Sequence, residues 1–120
     1  MPKIPGGYIL IARKLSANGL SKRPPLDRAI WLWLLQEAKY KDTKDLKRGQ
    51  LITTVEKIRT AMEYQIGFRT NKPSIKQVRL ALHYYKTENM ISTQKTAIGT
   101  LITIVKYTFY QDYKNYSSNA

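Results

Sequence analysis

Cysteine is absent from the 120 residues, which removes disulfide scaffolds, thiolate zinc sites and cysteine nucleophiles at once. Histidine occurs once, as His83, so no metal site or relay needing two imidazoles is available. Acid is scarce: 8 Asp and Glu stand against 21 Lys and Arg, a formal charge of +13. The longest apolar run, Ala29–Leu35, is far short of the ~20 residues of a bilayer span. At the start, only Tyr8–Ala12 separates Met1–Gly7 from Arg13 and Lys14, too little for the apolar region of a signal peptide. No Gly-rich loop closes on Lys-Ser or Lys-Thr to cradle a phosphate. These gaps lead us to expect a soluble, cytoplasmic protein that is not an enzyme and holds no metal or cofactor. The length suits one domain, and a surplus of cations on one folded unit points to a polyanionic partner.

Pro2–Gly7 reads as an arm, and the β-prone Tyr8–Ala12 as a short first strand. Asn18-Gly19 and Pro24-Pro25 place a loop over Ser16–Pro25. Leu26–Tyr40 follows as a helix, with Trp31, Leu34, Leu35 and Ala38 spaced on one face. Ile30 and Trp33 widen that stripe, and Asp27 in the first turn suits the helix dipole. Lys41–Arg48 is a charged loop, ended by Gly49, before a short strand Gln50–Thr53. Thr53 or Thr54 caps the next helix, Val55–Tyr64, and Thr53 with Glu56 fits a capping box. After the break Gly67–Pro73, Ser74 caps a helix Ile75–Glu88 that presents Ile75, Val78, Leu82 and Tyr85 inward. Met90–Lys95 and Thr100–Lys106 then pair as a hairpin around Thr96–Gly99.

A helix, a connection, a second helix and a hairpin is the plan of a winged helix-turn-helix. The expected class is therefore α+β, with three main helices, a C-terminal β-hairpin wing and a short N-terminal strand. In such folds the second helix of the pair enters the major groove of DNA. Its outer side holds Lys76, Leu80, His83 and Thr87, flanked by Gln77, Arg79 and Lys86, with almost no acid. Arg grips guanine through two hydrogen bonds, Gln grips adenine, and Lys serves base or phosphate. Lys95 in the wing is expected on phosphate and Thr96 beside it at the DNA, while Phe68, Arg69 and Lys72 in the connection are expected to brace the recognition helix or to touch the DNA backbone. Tyrosines 107, 110, 113 and 116 recur every three residues in the tail, a spacing that suits packing against Trp31 and Trp33 or contact with a partner.

Several motifs follow one another in order: Arg28-x-x-Trp31-x-x-Leu34-Leu35-x-x-Ala38, Leu46–Gln50, Ser74-x-Lys76-Gln77-Val78-Arg79-x-Ala81-Leu82, Met90-Ile91, Leu101–Val105 and Tyr110-Gln111. The series resembles the N-terminal winged-helix domain of phage replication-organiser proteins, related to the DnaD-type primosomal initiators. The likeness covers about residues 4–112, so residues 1–112 are read as the DNA-binding domain and 113–120 as a tail or the start of a linker. The resemblance implies sequence-specific binding of double-stranded DNA in phage or plasmid replication initiation, inside a bacterial host cell. It places the start of the recognition helix on Ser74, Lys76, Gln77 and Arg79. It also implies a further C-terminal domain that engages a replicative helicase or helicase loader. The arm Met1–Gly7, the Tyr8–Ala12 run and the tyrosine tail are the segments expected to support a weak homodimer. The alternative is a winged-helix transcriptional regulator, which shares the fold and the DNA contacts without the replication role.

Overall fold

The computed structural model describes residues 3–16 and 19–117. Met1 and Pro2 of the expected arm, Ala17 and Asn18 of the expected loop, and the last three residues of the expected tail lie outside the described residues. The first helix, α1 (Pro25–Glu37), starts with a proline in its first turn, where a missing N–H costs nothing. It stops three residues before the expected Tyr40, and Ala38 is already extended. The chain turns there because Lys39 N–H donates to the Gln50 carbonyl at 3.0 Å, and Gly49 N–H returns to the Lys39 carbonyl at 2.7 Å. This pair closes the charged loop. Gly49 has φ +83, and a Cβ at that position would lie 2.8 Å from Cβ of Tyr107. Only glycine fits the bend.

Strand β1 (Gln50–Thr53) matches its expected bounds. Helix α2 (Val55–Ala61) is capped by Thr54, whose hydroxyl accepts the Lys57 N–H. Thr53 is instead the buried last residue of β1, and Glu56 pairs with Arg59. The expected Thr53–Glu56 capping box is therefore replaced by a Thr54 cap, because pairing of β1 holds Thr53 in the sheet. Helix α2 also ends short of Tyr64. Tyr64 opens a hairpin of β2 (Tyr64–Ile66) and β3 (Arg69–Asn71), in place of a plain connection.

Helix α3 (Ile75–Thr87) carries a capping box: Ser74 Oγ accepts the Gln77 N–H at 3.0 Å, and Gln77 Oε1 accepts the Ser74 N–H at 2.8 Å. Its inner face is Val78, Ala81 and Tyr85, all fully buried. Ile75, expected inward, is exposed, and Leu82 is half-buried. The chain reverses at Asn89, a left-handed residue with φ 57. Strands β4 (Ile91–Thr96) and β5 (Gly99–Ile104) follow, joined by Ala97-Ile98. Strand β5 lies between β1 and β4 in an antiparallel sheet, with Leu51 opposite Ile102 and Ile91 opposite Ile104. The short helix α4 (Tyr107–Tyr110) and a 3-10 turn, Tyr113–Asn115, end the described chain. The architecture is α+β.

No strand forms at Tyr8–Ala12, which corrects the expected N-terminal strand. The backbone N–H and carbonyl of Leu10 are instead satisfied by one side chain, the Gln111 carboxamide, at 2.8 and 3.0 Å. A short 3-10 turn, Arg13–Ser16, follows. A second one, Gly19–Lys22, sends Leu20 into the core.

The core joins Ile30, Trp31, Leu34 and Leu35 of α1 to Ile58 of α2, Val78 and Tyr85 of α3, and Ile102 and Ile104 of β5. The Trp31 stripe is thus buried as its spacing predicts, while Trp33 sits half-buried at the edge. The Tyr85 hydroxyl donates to the Asp27 carbonyl, and its ring lies 5.3 Å from that of Trp31. Burial pushes the Tyr85 phenol well above the ordinary tyrosine range, and the Asp27 carboxylate adds to the effect. The Asp27 carboxylate is buried and salt-bridged to Arg23 at 2.9 Å. Arg23 in turn stacks on the Tyr84 ring, 4.7 Å from its centroid. This cluster pins the start of α1 to the last turns of α3. Of the tail tyrosines, Tyr107 joins the core, whereas Tyr110 and Tyr113 are exposed.

Candidate nucleic-acid interface

Helix α3 organises the site. Its capping box fixes the first turn, and burial of Val78, Ala81 and Tyr85 fixes its rotation. Lys76, Arg79, Leu80 and His83 are consequently exposed on the outer side, with Lys86 and Thr87 one turn further on. These residues share one face because positions three and four apart stack along a helix. From Ile75 to Thr87 there are three cations, Lys76, Arg79 and Lys86, and no carboxylate. His83 Nε2 lies 3.4 Å from the Thr87 hydroxyl.

Ser74 and Gln77 are exposed, but their side chains are engaged in holding the helix start. Two-point recognition of adenine by Gln77 needs its carboxamide oxygen, and that oxygen accepts the Ser74 N–H. Gln77 thus keeps its amide nitrogen and the second lone pair of that oxygen for an outside partner, while also positioning the helix start. Lys76 and Arg79 reach outward beside it from the first two turns.

The β2–β3 hairpin leads directly into α3. Arg69 and Lys72 are exposed on it, and Lys72 Nζ lies 3.9 Å from Glu63 Oε1. The base of the hairpin is anchored by buried Pro73, whose carbonyl accepts a hydrogen bond from Arg59 Nε at 2.8 Å. Arg59 is the positioning residue that sequence reasoning missed. Its i, i+3 spacing from Glu56 was visible, but the bond to a carbonyl 14 residues away was not.

Lys95 and Thr96 are exposed on β4. The Thr96 hydroxyl donates to the Gly99 carbonyl at 2.8 Å and accepts the Ile98 N–H at 3.3 Å, so it stabilises the turn. A crevice of about 140 Å³, floored by Ile58, Leu82 and Ile102, has Lys86 and Lys95 on its walls. The hairpin's lysine is thus brought to the last turn of α3. At the other end of the helix, Arg69 and Lys72 lie beside Lys76 in the chain. Cations therefore flank α3 at both ends.

Among the described residues, no group of three or more His, Asp or Glu side chains comes together to hold a metal ion. Nor is any helix long and apolar enough to cross a membrane. No protein-family model, no curated protein and no solved structure matches this chain.

Proposed function

We propose that this chain binds double-stranded DNA as a winged helix-turn-helix. Helix α2 and helix α3 form the helix pair, α3 enters the major groove, and the β4–β5 hairpin is the wing. The observation that carries this reading is the outer face of α3, exposed, cationic and free of carboxylate over thirteen residues. Arg79 is the base-reading side chain, supported by Lys76, and Lys95 is a phosphate contact. The replication-initiation role rests on the ordered motif series and its resemblance to phage replication organisers. Terminal pairing of two copies, through the exposed Ile4, Tyr8 and Tyr113, belongs to the same reading, since neighbouring half-sites multiply specificity.

Fluorescence anisotropy on mixed-sequence duplex, over a range of salt, tests the reading. With about six phosphates neutralised, log K falls against log salt with a slope of about −5. Absence of duplex binding at low salt overturns it. At a selected cognate site Arg79→Ala costs about 1–3 kcal/mol and relaxes preference. Lys95→Ala weakens all sequences alike. Equal weakening of cognate and random DNA by Arg79→Ala reassigns that residue to phosphate.

A further inference from the structure

The β2–β3 hairpin has a feature that helix-turn-helix binding leaves unused. Its two-residue turn is Gly67-Phe68, and Gly67 takes φ +59, as the first central residue of a tight hairpin turn requires. Phe68 is thereby set at the apex, where it is 107% exposed, the largest value among the apolar side chains described. Tyr64 and Ile66 on β2 are exposed as well. A phenylalanine buries about 200 Å² when it finds a partner, and among the described residues Phe68 is left uncovered.

The surroundings favour one kind of partner. From Tyr64 to Pro73 the charged residues are Arg69 and Lys72; the nearest carboxylate in the chain is Glu63 at the hairpin's foot, 3.9 Å from Lys72, which leaves Arg69 as the cation beside the tip. The ring is followed at once by a guanidinium, and three residues later by Lys72 at the threshold of α3. The hairpin's base is held by buried Pro73 and Arg59, so the tip is attached at the start of α3, the end that contacts base edges in a recognition helix. Three-residue strands carry the tip about 10 Å from that point, a reach comparable with the ~12 Å width of a major groove. An apolar tip on a cationic stalk suits the stacked interior of a polyanion. Proteins that kink duplex DNA insert Phe, Leu, Ile or Met side chains between base steps in this way.

We propose that Phe68 is a DNA wedge: the tip of the β2–β3 hairpin inserts its ring between neighbouring base pairs beside the α3 site, unstacking and bending the duplex. Arg69 and Lys72 hold the flanking phosphates. This rests on the DNA-binding reading above and adds a second point of contact to it. A wedge prefers DNA that is already easy to unstack, because the energy of opening a step is lowest at a mismatch.

The test compares anisotropy on an intact mixed-sequence duplex with the same duplex carrying one central mismatch, for wild type, Phe68→Ala and Phe68→Trp. Wild type is expected to bind the mismatched duplex about tenfold more tightly. Phe68→Ala abolishes that preference and weakens intact duplex by less, whereas Phe68→Trp retains it. Unchanged thermal unfolding of Phe68→Ala, expected for a fully exposed side chain, excludes misfolding as the cause. If wild type binds both duplexes equally, or Phe68→Ala remains as selective as wild type, the wedge is overturned while DNA binding stands. If Phe68→Ala instead abolishes self-association in sedimentation equilibrium and leaves selectivity intact, the tip is a protein contact and the wedge is again overturned. Absence of binding to any duplex removes the DNA reading and the wedge together.

Discussion

Two hairpins flank α3, and they differ in what lies under them. The β4–β5 hairpin shares β5 with β1 and sends Ile91, Ile102 and Ile104 into the core. Among the described residues the β2–β3 hairpin pairs with no third strand, and apart from half-buried Asn71 the residues of its strands are exposed. A lone two-stranded ribbon is marginal in water, so the second hairpin depends on its anchors at Pro73 and Arg59. The first is held by burial, the second by its turn and its root. A segment with so little stabilising burial is more mobile and tolerant of change, which is where binding contacts tend to reside.

The sharpest test of this difference is a matched pair of truncations, one on each hairpin. Ile102→Ala, on β5 where the side chain is 1% exposed, is expected to cost about 2–5 kcal/mol in urea denaturation. Ile66→Ala, on β2 at 64% exposure, is expected to stay within about 0.5 kcal/mol. Comparable losses at the two sites would mean that the β2–β3 hairpin packs against something in solution.

Alkaline unfolding probes the buried side of α3, against which the sheet is assembled. The Tyr85 phenol is raised in the folded state by burial first and by the Asp27 carboxylate second. A free tyrosine ionises near pH 10, so this contribution is fully present below about pH 10 and declines above it, by up to ~1.4 kcal/mol per pH unit. Tyr85→Phe should therefore unfold with a shallower dependence between about pH 10 and 11.5. An unchanged slope would show that Tyr85 ionises as readily folded as unfolded.

A smaller effect is expected where the exposed hairpin meets the helix. Ser74→Ala removes one half of the capping box and should cost about 1 kcal/mol. Hydrogen exchange should report the loss first at the Gln77 amide, which Ser74 Oγ accepts, and in the neighbouring β3 residues. Loss confined to β4 and β5 would contradict the placement of the cap at the root of the β2–β3 hairpin.

Much of this was legible in the residues themselves. The spacing of Trp31, Leu34, Leu35 and Ala38 identified the buried face of α1, because helical periodicity is local and the core has one side to accept it. Ser74 marked the start of α3 for the same reason: an N-cap is set by one residue against its own first turn. The exposed cations Lys76, Arg79 and Lys86 followed from that helix's rotation. The strand expected at Tyr8–Ala12 failed because β-propensity needs a neighbouring strand, and the Gln111 side chain took the place of one.

The sequence alone determined the charge surplus, the helical periodicities, the Ser74 cap and the absence of thiol chemistry, since each of these is set by residue type. Tertiary structure decided the rest. It ended α1 at Glu37 through the Lys39–Gln50 pair, and it chose Thr54 over Thr53 as the α2 cap by drawing Thr53 into the sheet. It also turned the stretch between α2 and α3 into a hairpin with Phe68 at its tip, and it joined Asp27 to Tyr85 across 58 residues of chain. Each of these outcomes depends on which backbone groups and apolar faces meet at long range, and such meetings are settled by the packing of the whole chain.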